Sequence, residues 1–324
     1  MTNSNLVSIV VLNWNGARYL SDCLKSIYLQ DYKFLEIIIV DNGSTDGSVE
    51  FLKENYPDLR LILNGENLGF AQGMNIGIQA SKGEYVLLLN EDIYLDFCFV
   101  TNGIKEFNNN KRVGWVGGVV YALVNGTRSG KKISGAYVLK RRFQLKYLDK
   151  LEKKKEVLMV NNCAMFLRRA ALDDVCEASG WLDRDYFAYW EDTDLALRFC
   201  LREWICLFLP EMRLWHVLSG SMDGKSRLVD KPLKFQLISL SNRYRTIIKD
   251  LPFLMLVELL PFLIITEFLI VPYFMFLSPR TLLCNFRAII NILKSLPALL
   301  SQRKLIQETR TIPYLKFRRF FVGL

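Results

Sequence analysis

The sequence has no C-x-x-C pair, no G-x-G-x-x-G motif after its first predicted strand, and a single histidine, His216. Its seven cysteines are irregularly spaced and several lie in apolar stretches. We therefore expect reduced, mostly buried thiols in a cytosolic setting instead of a disulfide framework. The missing glycine motif argues against a nicotinamide-binding domain. A lone histidine leaves both a structural role and a ligand role open.

The N-terminal segment MTNSNLVSIVVLNWNG lacks a basic region and a small-residue cleavage site. We therefore do not expect it to be a signal peptide, and we expect the folded part of the chain to stay in the cytoplasm.

The net charge of +9 is unevenly distributed. Residues 1–224 carry 26 basic and 28 acidic side chains, whereas residues 225–324 carry 16 basic and 5 acidic ones. The basic excess shares the last third of the chain with the longest apolar run. Basic residues beside apolar segments suit an anionic membrane surface better than a DNA groove. We predict a folded region at 1–224, a helical, membrane-associated region at 225–324, and no nucleic-acid partner.

Short apolar segments alternate with helical patterns in the first third of the chain. The segments predicted as strands are 6–12, 36–40, 59–63 and 85–89, and those predicted as helices are 17–30 and 48–55. This alternation predicts an α/β fold with a mostly parallel, doubly wound sheet. Polar or glycine-rich clusters follow three of the strands, at 13–16, 41–48 and 90–92. Ligands of such sheets bind beyond the carboxyl ends of the strands, so we predict a binding site there.

A later apolar segment, 205–209, is predicted to be a strand that ends at Pro210. A polar loop containing Gly220 and Gly224 is expected to follow His216.

Two aspartates at predicted strand ends are candidate ligand contacts. The Asp41 carboxylate is placed to accept hydrogen bonds from a nucleotide base or ribose, or to begin an Asx turn of its own loop. Asp92 follows a fully apolar strand and suits a divalent metal beside phosphates. A simple strand-end cap is the alternative for Asp92.

Three carboxylates, Glu191, Asp192 and Asp194, stand at the start of a helical pattern that continues to Arg198. A helix N-terminus favours negative charge, so we expect a carboxylate there to be ionised near neutral pH. An ionised carboxylate is what a general base requires. A capped, acidic helix start without chemistry is the alternative interpretation.

Six segments occur in an order and spacing that are typical of one enzyme family. They are VVLNWNG (10–16), VDNGSTDGS (40–48), NLGFAQGMNIGI (67–78), LLLNED (87–92), GWLDRDYFAYWEDTDLALR (180–198) and LWH (214–216). Together they resemble inverting family 2 glycosyltransferases of the GT-A fold, in particular rhamnosyltransferase-like members. The resemblance covers about residues 6–220.

The resemblance implies transfer of a sugar from a UDP-, dTDP- or GDP-sugar, with Mg²⁺ or Mn²⁺ on the diphosphate. We expect a saccharide or polyprenyl-linked saccharide as acceptor, in cell-surface polysaccharide assembly; the lipid link is suggested by the long apolar run at 251–277. By position, Asp41 is similar to the family's nucleotide-contacting aspartate and Asp92 to its metal-binding aspartate. Asn15, Gly69 and Asn75 correspond to walls of the nucleoside pocket.

The resemblance also assigns roles at the acceptor side and at the metal. Asp192 corresponds to the general base, and we interpret Glu191 as its support and Asp194 as a helix-start residue. His216 corresponds to a histidine that completes metal or diphosphate binding in some members.

The sequence departs from the family pattern at several positions. The metal region reads Asn90-Glu91-Asp92, without a further aspartate, while Asn162 and Glu203 stand where glycines are usual. The Q-x-x-R-W signature of processive synthases is absent, which favours one sugar per encounter. A nucleotidyltransferase, or a non-catalytic membrane-associated homologue that has lost its metal site, remains the alternative function.

Residues 251–277 form an apolar run long enough to cross a bilayer. Its three prolines argue against one straight helix, and Glu258 and Glu267 are spaced so that one polar stripe cannot hold both. We therefore expect two short helices that enter the membrane in a re-entrant or in-plane manner, followed by an amphipathic interfacial helix at 281–300. A buried helical subdomain or an oligomer interface is the alternative.

Basic residues flank the apolar run on both sides: Arg243, Arg245 and Lys249 before it, and Arg280 and Arg287 after it. This distribution predicts that both ends remain on the cytoplasmic face of the cell membrane.

Overall fold

The computed structural model describes residues 3–124, 127–148, 150–217 and 228–323. The strands are β1 (Asn3–Asn13), β2 (Leu35–Asp41), β3 (Arg60–Leu63), β4 (Gly83–Asn90), β5 (Ile93–Leu95), β6 (Val113–Val124), β7 (Thr127–Ser134), β8 (Ala136–Lys140), β9 (Gln144–Leu148), β10 (Lys155–Val157), β11 (Met159–Val160), β12 (Ala164–Arg168), β13 (Ile205–Val217) and β14 (Phe321–Val322). The helices are α1 (Ala17–Tyr28), α2 (Ser48–Asn55), α3 (Gly69–Ala80), α4 (Phe99–Asn109), α5 (Arg169–Asp174), α6 (Glu191–Leu201), α7 (Leu233–Asp250), α8 (Phe253–Leu277), α9 (Pro279–Glu308) and α10 (Tyr314–Arg318). The predicted loop with Gly220 and Gly224, and the predicted boundary between 224 and 225, lie outside the described residues.

The large sheet is mixed and has the order β10-β13-β6-β12-β4-β1-β2-β3, with β5 and β7 paired at its side. Its first part is parallel, since β1 lies between β2 and β4, and β3 follows β2. The antiparallel strand β12 then joins β4 to β6. The prediction of a doubly wound α/β sheet is confirmed, and the sheet as a whole is mixed, with its parallel pairs among β4, β1, β2 and β3 and between β6 and β13. A second, smaller sheet has the order β11-β8-β14, with β9 on β8.

The central strand β1 is buried on both faces, which explains its almost continuous apolar sequence. Successive side chains of a strand point alternately to the two sides of the sheet. Ile9 and Val11 pack on the side covered by α1, while Val10 and Leu12 pack on the side covered by α3. Because helices cover both sides, every residue from Val7 to Leu12 is buried.

Strand β13 corrects the prediction that a strand ends at Pro210. It runs through Pro210 to Val217, and its pairing with β6 shifts register between Phe208 and Arg213. A proline is tolerated at such an irregularity because no ladder hydrogen bond is required from its nitrogen. The continuation pairs His216 with Ile93 of β5 and so brings the histidine beside the end of β4.

Helix α8 corrects the prediction of two short helices. It is continuous over 25 residues, although it contains Pro261 and Pro272. Each proline removes one backbone hydrogen bond, and contacts of Glu258 and Glu267 with the rest of the protein hold the helix on both sides of Pro261. By length and composition, both α8 and α9 are apolar enough to cross a membrane.

The basic residues that precede α8 do not form a free flank. Lys249 is fully buried in an ionic cluster, Arg243 pairs with Glu267 at 2.6 Å, and Arg245 pairs with Asp185 at 3.1 Å. Carboxylates of the protein hold these three side chains. They are therefore not free positive charges beside a membrane segment, which the positive-inside argument requires.

Candidate active site

A cavity of about 390 Å³ opens at the carboxyl end of the large sheet. Leu12 of β1, Asn42 after β2 and Asn90 of β4 line it from the strand ends. Glu191 of α6 and Phe235 of α7 line it from the second half of the chain. The cavity therefore lies where the sequence predicts a binding site, and residues on both sides of the predicted boundary contribute to its wall.

The loop after β2 is built around Asp41, which is buried. Its Oδ1 accepts hydrogen bonds from the backbone N–H groups of Gly43 (3.0 Å) and Ser44 (2.9 Å). Its Oδ2 accepts from Asn13 Nδ2 at 2.7 Å and from Ser44 Oγ at 2.6 Å. These contacts match the Asx-turn interpretation of Asp41, and a direct nucleotide contact of this side chain stays a prediction. The neighbouring Asn42, which the sequence did not single out, lines the cavity itself.

Of the three residues predicted to form the nucleoside pocket wall, Gly69 is the one that lines the cavity. It has a φ of +83°, and a Cβ at this position would lie 2.5 Å from the carbonyl oxygen of Phe187. Only glycine permits this approach without displacing the backbone of Phe187. Asn15 accepts a hydrogen bond from the N–H of Thr45 at 2.8 Å, so it joins two loops beside the cavity.

Asn75 is buried behind the cavity and holds another segment. Its Nδ2 donates to the carbonyl of Leu182 at 2.6 Å, and its Oδ1 accepts from the N–H of Leu182 at 2.9 Å. The amide is thus occupied by the segment that leads into α6, and the role of Asn75 in donor binding stays a prediction.

The end of β4 carries the candidate metal ligands. Asp92 Oδ2 lies 3.1 Å from His216 Nε2, so the structure brings these two predicted residues together. Asp92 Oδ1 is buried and has no hydrogen-bond partner among the described residues. Beside it, Glu91 lines the cavity, and its pKa is raised to about 8 by burial and by the negative charge of Asp92.

This arrangement fits a divalent cation. A hard cation prefers oxygen ligands, and the unpartnered oxygen of Asp92 is of that kind. The imidazole of His216 is a second ligand-type group, and its Nε2 contacts the other carboxylate oxygen of Asp92, Oδ2. The described residues contain no group of three or more His, Cys, Asp or Glu side chains that could hold a metal.

The turn before α6 has an unusual backbone. Phe187, Tyr189 and Trp190 have φ values of +54°, +68° and +73°. A non-glycine residue in this region costs of the order of 1–3 kcal/mol, so surrounding contacts must hold the turn. Asn242 of α7 supplies one such contact, since its Nδ2 lies 2.7 to 3.0 Å from the carbonyl oxygens of Tyr186, Ala188 and Tyr189.

Glu191 and Asp192 follow this turn at the start of α6, and both are buried. Burial and the charge of Asp192 raise the pKa of Glu191 well above its usual value, and Glu191 Oε2 has no partner within the described part of the chain. Burial also raises the pKa of Asp192, but hydrogen bonds from Thr193 and Asn162 act in the opposite direction. Burial thus opposes the effect of the helix N-terminus on Glu191 and Asp192, whereas Asp194 in the same turn has a lowered pKa.

Asp194 lies in the first turn of α6, as expected for a helix-start residue, but it also belongs to a buried ionic cluster. Its Oδ2 accepts from Arg198 Nη2 at 2.7 Å, and its Oδ1 lies 2.5 Å from Lys249 Nζ. Burial alone would raise the pKa of Asp194, but these two cations lower it to about 2. The cluster anchors α6 to α7 directly behind the turn.

The sheet with its cavity at the strand ends has the GT-A fold of nucleotide-sugar enzymes. The crystal structure of GalNAc-T7 with UDP, GalNAc and Mn²⁺ superposes with a TM-score of 0.61 at 14% identity, over 75% of this chain and 48% of that one. The structure of S. aureus TarS 1–349 in complex with UDP gives a TM-score of 0.54 at 17% identity, over 85% and 73% of the two chains.

The family model described as glycosyl transferase family 2 matches residues 8–176, more than half of the chain. The protein therefore belongs to glycosyl transferase family 2.

Two relatives illustrate the range of similarity. The glycosyltransferase GlyG of Streptococcus pneumoniae is 42% identical over 92 residues, which are 28% of this chain and 31% of GlyG. The N-acetylglucosaminyl-diphospho-decaprenol L-rhamnosyltransferase of Mycobacterium tuberculosis is 24% identical over 241 residues, 66% of this chain and 76% of that protein. The chain thus spans about a third of the length of GlyG.

Proposed function

We propose that the protein is an inverting glycosyltransferase that moves a sugar from a UDP-, dTDP- or GDP-sugar to a saccharide or lipid-linked saccharide acceptor. Transfer would occur in a single displacement at the anomeric carbon, during assembly of a cell-surface polysaccharide. The observation that carries this proposal is the Glu191–Asp192 pair beside the cavity, whose two carboxyl groups lie in different environments.

An inverting displacement needs one base to accept the proton of the acceptor hydroxyl. Burial and the charge of Asp192 raise the pKa of Glu191 well above its usual value and so favour its neutral form. The Asp192 carboxylate is supported by Thr193, whose N–H and hydroxyl lie 2.6 and 3.2 Å from Oδ1, and by the amide of Asn162. Two neighbouring carboxyl groups with separated pKa values divide the acid and base roles. Asp192 is therefore the base, and Glu191 is its neutral support.

Asn162 contacts the proposed base, Asp192, and also lines the cavity. Its side chain is exposed and lines the cavity, whereas Asp192 is buried beside it. Asn162 thus borders both the cavity and the proposed base.

The departing nucleoside diphosphate carries negative charge that must be balanced. A bound Mg²⁺ or Mn²⁺ supplies that balance in enzymes of this chemistry. Asp92 and His216 would hold the ion, and its remaining ligands would come from the diphosphate and water. Asp41, Asn15 and Asn75 would act on the nucleoside through the loops that they hold, and Gly69 through the cavity wall. Each of these assignments is part of the proposal.

The C-terminal region supports a position at a membrane surface, and we propose that this is the cytoplasmic face of the cell membrane. Helices α8 and α9 leave large apolar side chains exposed, such as Phe268 and Phe276 of α8. The mycobacterial relative is named for a lipid-linked acceptor, which fits an enzyme held at a membrane surface. We propose that residues 1–224 carry the catalytic residues, and that residues 225–324 complete the cavity wall through α7 and attach the protein to the membrane.

The test is donor turnover by the purified full-length chain with Mn²⁺ and a panel of UDP-, dTDP- and GDP-sugars. Release of free nucleoside diphosphate, with an inverted anomeric configuration in the product, is the expected result. Release of pyrophosphate would instead indicate a nucleotidyltransferase. Absence of turnover with every donor and acceptor class would leave a non-catalytic homologue and overturn the proposal.

A further inference from the structure

We propose that α8 and α9 form a membrane-binding surface that lies in the plane of an anionic bilayer and does not cross it. We call the exposed apolar and basic side chains of these two helices the hairpin surface; its main members are Leu254, Ile265, Phe276, Phe286, Leu293 and the basic residues Arg287 and Lys294. This inference rests on the membrane attachment proposed above and specifies its geometry.

Two carboxylates hold α8 along the folded body. Glu258 accepts a hydrogen bond from Arg318 Nε at 2.7 Å, on α10. Glu267 accepts from Arg243 Nη1 and from Tyr244 Oη of α7, each at 2.6 Å. These anchors are nine residues apart, about 13 Å along a helix axis. A helix attached to the protein body over this length does not project away from it.

The partners of these carboxylates belong to the body of the protein. Arg243 also donates to the carbonyl oxygens of Arg142 (3.1 Å) and Phe143 (3.4 Å), in the turn between β8 and β9. If α8 crossed a bilayer at right angles, Glu258 or Glu267 and its cation would have to enter the hydrocarbon or separate. Charged side chains in that environment are costly, so the observed pairing favours a helix that lies on the surface.

Helix α9 is attached to α7 along its length. Thr281 Oγ1 donates to Gln236 Oε1 at 2.6 Å near the start of α9. Near its end, Arg303 Nη1 donates to the carbonyl oxygens of Ile248 and Leu251, each at 2.6 Å. The two ends of α9 are therefore fixed at α7, and α9 cannot leave the body without breaking both sets of contacts.

The outer face of the pair is apolar. On α8, Leu254, Ile265 and Phe276 are 57%, 57% and 80% exposed. They are 11 residues apart, about three helical turns, so they share one face. On α9, Phe286 and Leu293 are also exposed. They lie seven residues apart, about two helical turns.

The charge of this surface has one sign. From residue 268 to residue 307 the sequence contains five basic residues and no acidic residue. Arg287 and Lys294 are exposed and seven residues apart, beside the apolar side chains of α9. Apolar side chains with a basic border suit the interface of a bilayer that contains anionic lipids.

This placement also brings the membrane close to the cavity. Phe235 of α7 lines the cavity, and Cys284 of α9 contacts the carbonyl of the nearby Leu233. A lipid-linked acceptor whose anchor stays in the bilayer would thus begin one helix away from the cavity.

Depth-dependent quenching of tryptophan fluorescence tests the orientation. The variants Leu254→Trp, Ile265→Trp and Phe276→Trp, in the full chain, are bound to anionic vesicles whose lipids carry bromine near the headgroup or near the chain end. An in-plane α8 predicts equal, shallow quenching of the three added tryptophans, after subtraction of the signal of the six native ones. A Phe34→Trp control, at an exposed site on the N-terminal half, should show no added quenching.

Deep quenching at residue 265 with shallow quenching at 254 and 276 would show a spanning helix and overturn the proposal. Failure of the full chain to bind any vesicle, or its assembly into a stable dimer through this surface, would also overturn it. Transfer to a soluble acceptor, measured on the same preparation, shows separately whether the proposed enzymatic function holds.

A second measurement tests the charge. The double variant Arg287→Gln/Lys294→Gln should bind anionic vesicles about 30-fold more weakly, since each basic residue near the surface contributes about a factor of five. The matched double variant Lys105→Gln/Lys111→Gln, also exposed, should bind as the unchanged protein does. Equal loss in both double variants, or none in the first, would contradict the assignment of this surface.

Discussion

Replacement of the buried Lys249 by methionine tests how the C-terminal region holds the catalytic helix. Lys249 is fully buried, and its Nζ lies 2.5 Å from Asp194 and 2.8 Å from Asp183. In Lys249→Met both carboxylates would stay buried with one cation fewer. Removing one partner of a buried ion pair costs about 3–5 kcal/mol, a large part of the roughly 5–15 kcal/mol that stabilises a typical domain.

The lowered pKa of Asp194 gives a second measure of how much the cations of this cluster stabilise the folded state. The fall from its usual 3.8 to about 2 corresponds to roughly 2–3 kcal/mol at about 1.4 kcal/mol per pKa unit, shared between Lys249 and Arg198. Because the pKa is lowered in the folded state, this stabilisation is present above about pH 4 and is lost as the pH falls towards 2. The free energy of unfolding of Lys249→Met should therefore fall most at neutral pH and approach that of the unchanged protein in acid.

The assay is denaturant unfolding of the full chain in detergent, followed by circular dichroism at pH 7 and at lower pH. The control is Lys304→Met, because Lys304 is 75% exposed and its carboxylate partner Glu308 lies 3.9 Å away. A surface pair of this kind contributes at most about 0.5 kcal/mol, so the control should unfold as the unchanged protein does. If Lys249→Met were as stable as the control at pH 7, the cluster would not hold α6 and α7 together as described.

Three further changes have defined outcomes. Asp250→Asn should raise the thermal unfolding temperature at pH 8 but not at pH 3. Burial holds the pKa of Asp250 well above its usual value, so the unchanged protein loses stability as the pH rises above about 4. Asn242→Leu removes the donor to three carbonyl oxygens of the turn before α6. Its kcat should fall at least about tenfold and its free energy of unfolding by about 1–3 kcal/mol. The exposed control Asn291→Leu should change neither quantity in the same kinetic and denaturation assays. Glu203→Gly should stabilise the protein by about 0.5–1 kcal/mol in denaturant unfolding without changing kcat, because Glu203 has a φ of +59°; an equal or lower stability would contradict the strain.

Local sequence was sufficient for the first part of the fold. The strands β1 to β4 were predicted because each is a largely apolar run, and such runs are typical of strands covered on both faces. Helix α2 was predicted with its bounds, 48–55, because a polar turn precedes it. Pro210 misled the prediction, since only the pairing with β6 shows that the strand is irregular at this point.

Long-range contacts decided what the sequence did not predict. Lys249 and Arg243 were interpreted as basic flanks of a membrane segment, yet they are held by carboxylates far from them in the sequence. Asn242 gave no local signal, because its partners in the turn before α6 are more than fifty residues away. The pair Asp92 and His216 was predicted from the resemblance, and the continuation of β13 accounts for their contact.

The central claim is that Asp192, and not Glu191, is the base. The direct test compares Asp192→Asn with Glu191→Gln in steady-state transfer and in donor binding. Glutamine resembles a protonated glutamate, so Glu191→Gln should keep kcat within about tenfold of the unchanged enzyme. Asp192→Asn should lower kcat by about 10²- to 10⁴-fold with nearly unchanged donor affinity, the loss expected for a general base. Loss of transfer in Glu191→Gln with retention in Asp192→Asn would contradict the account.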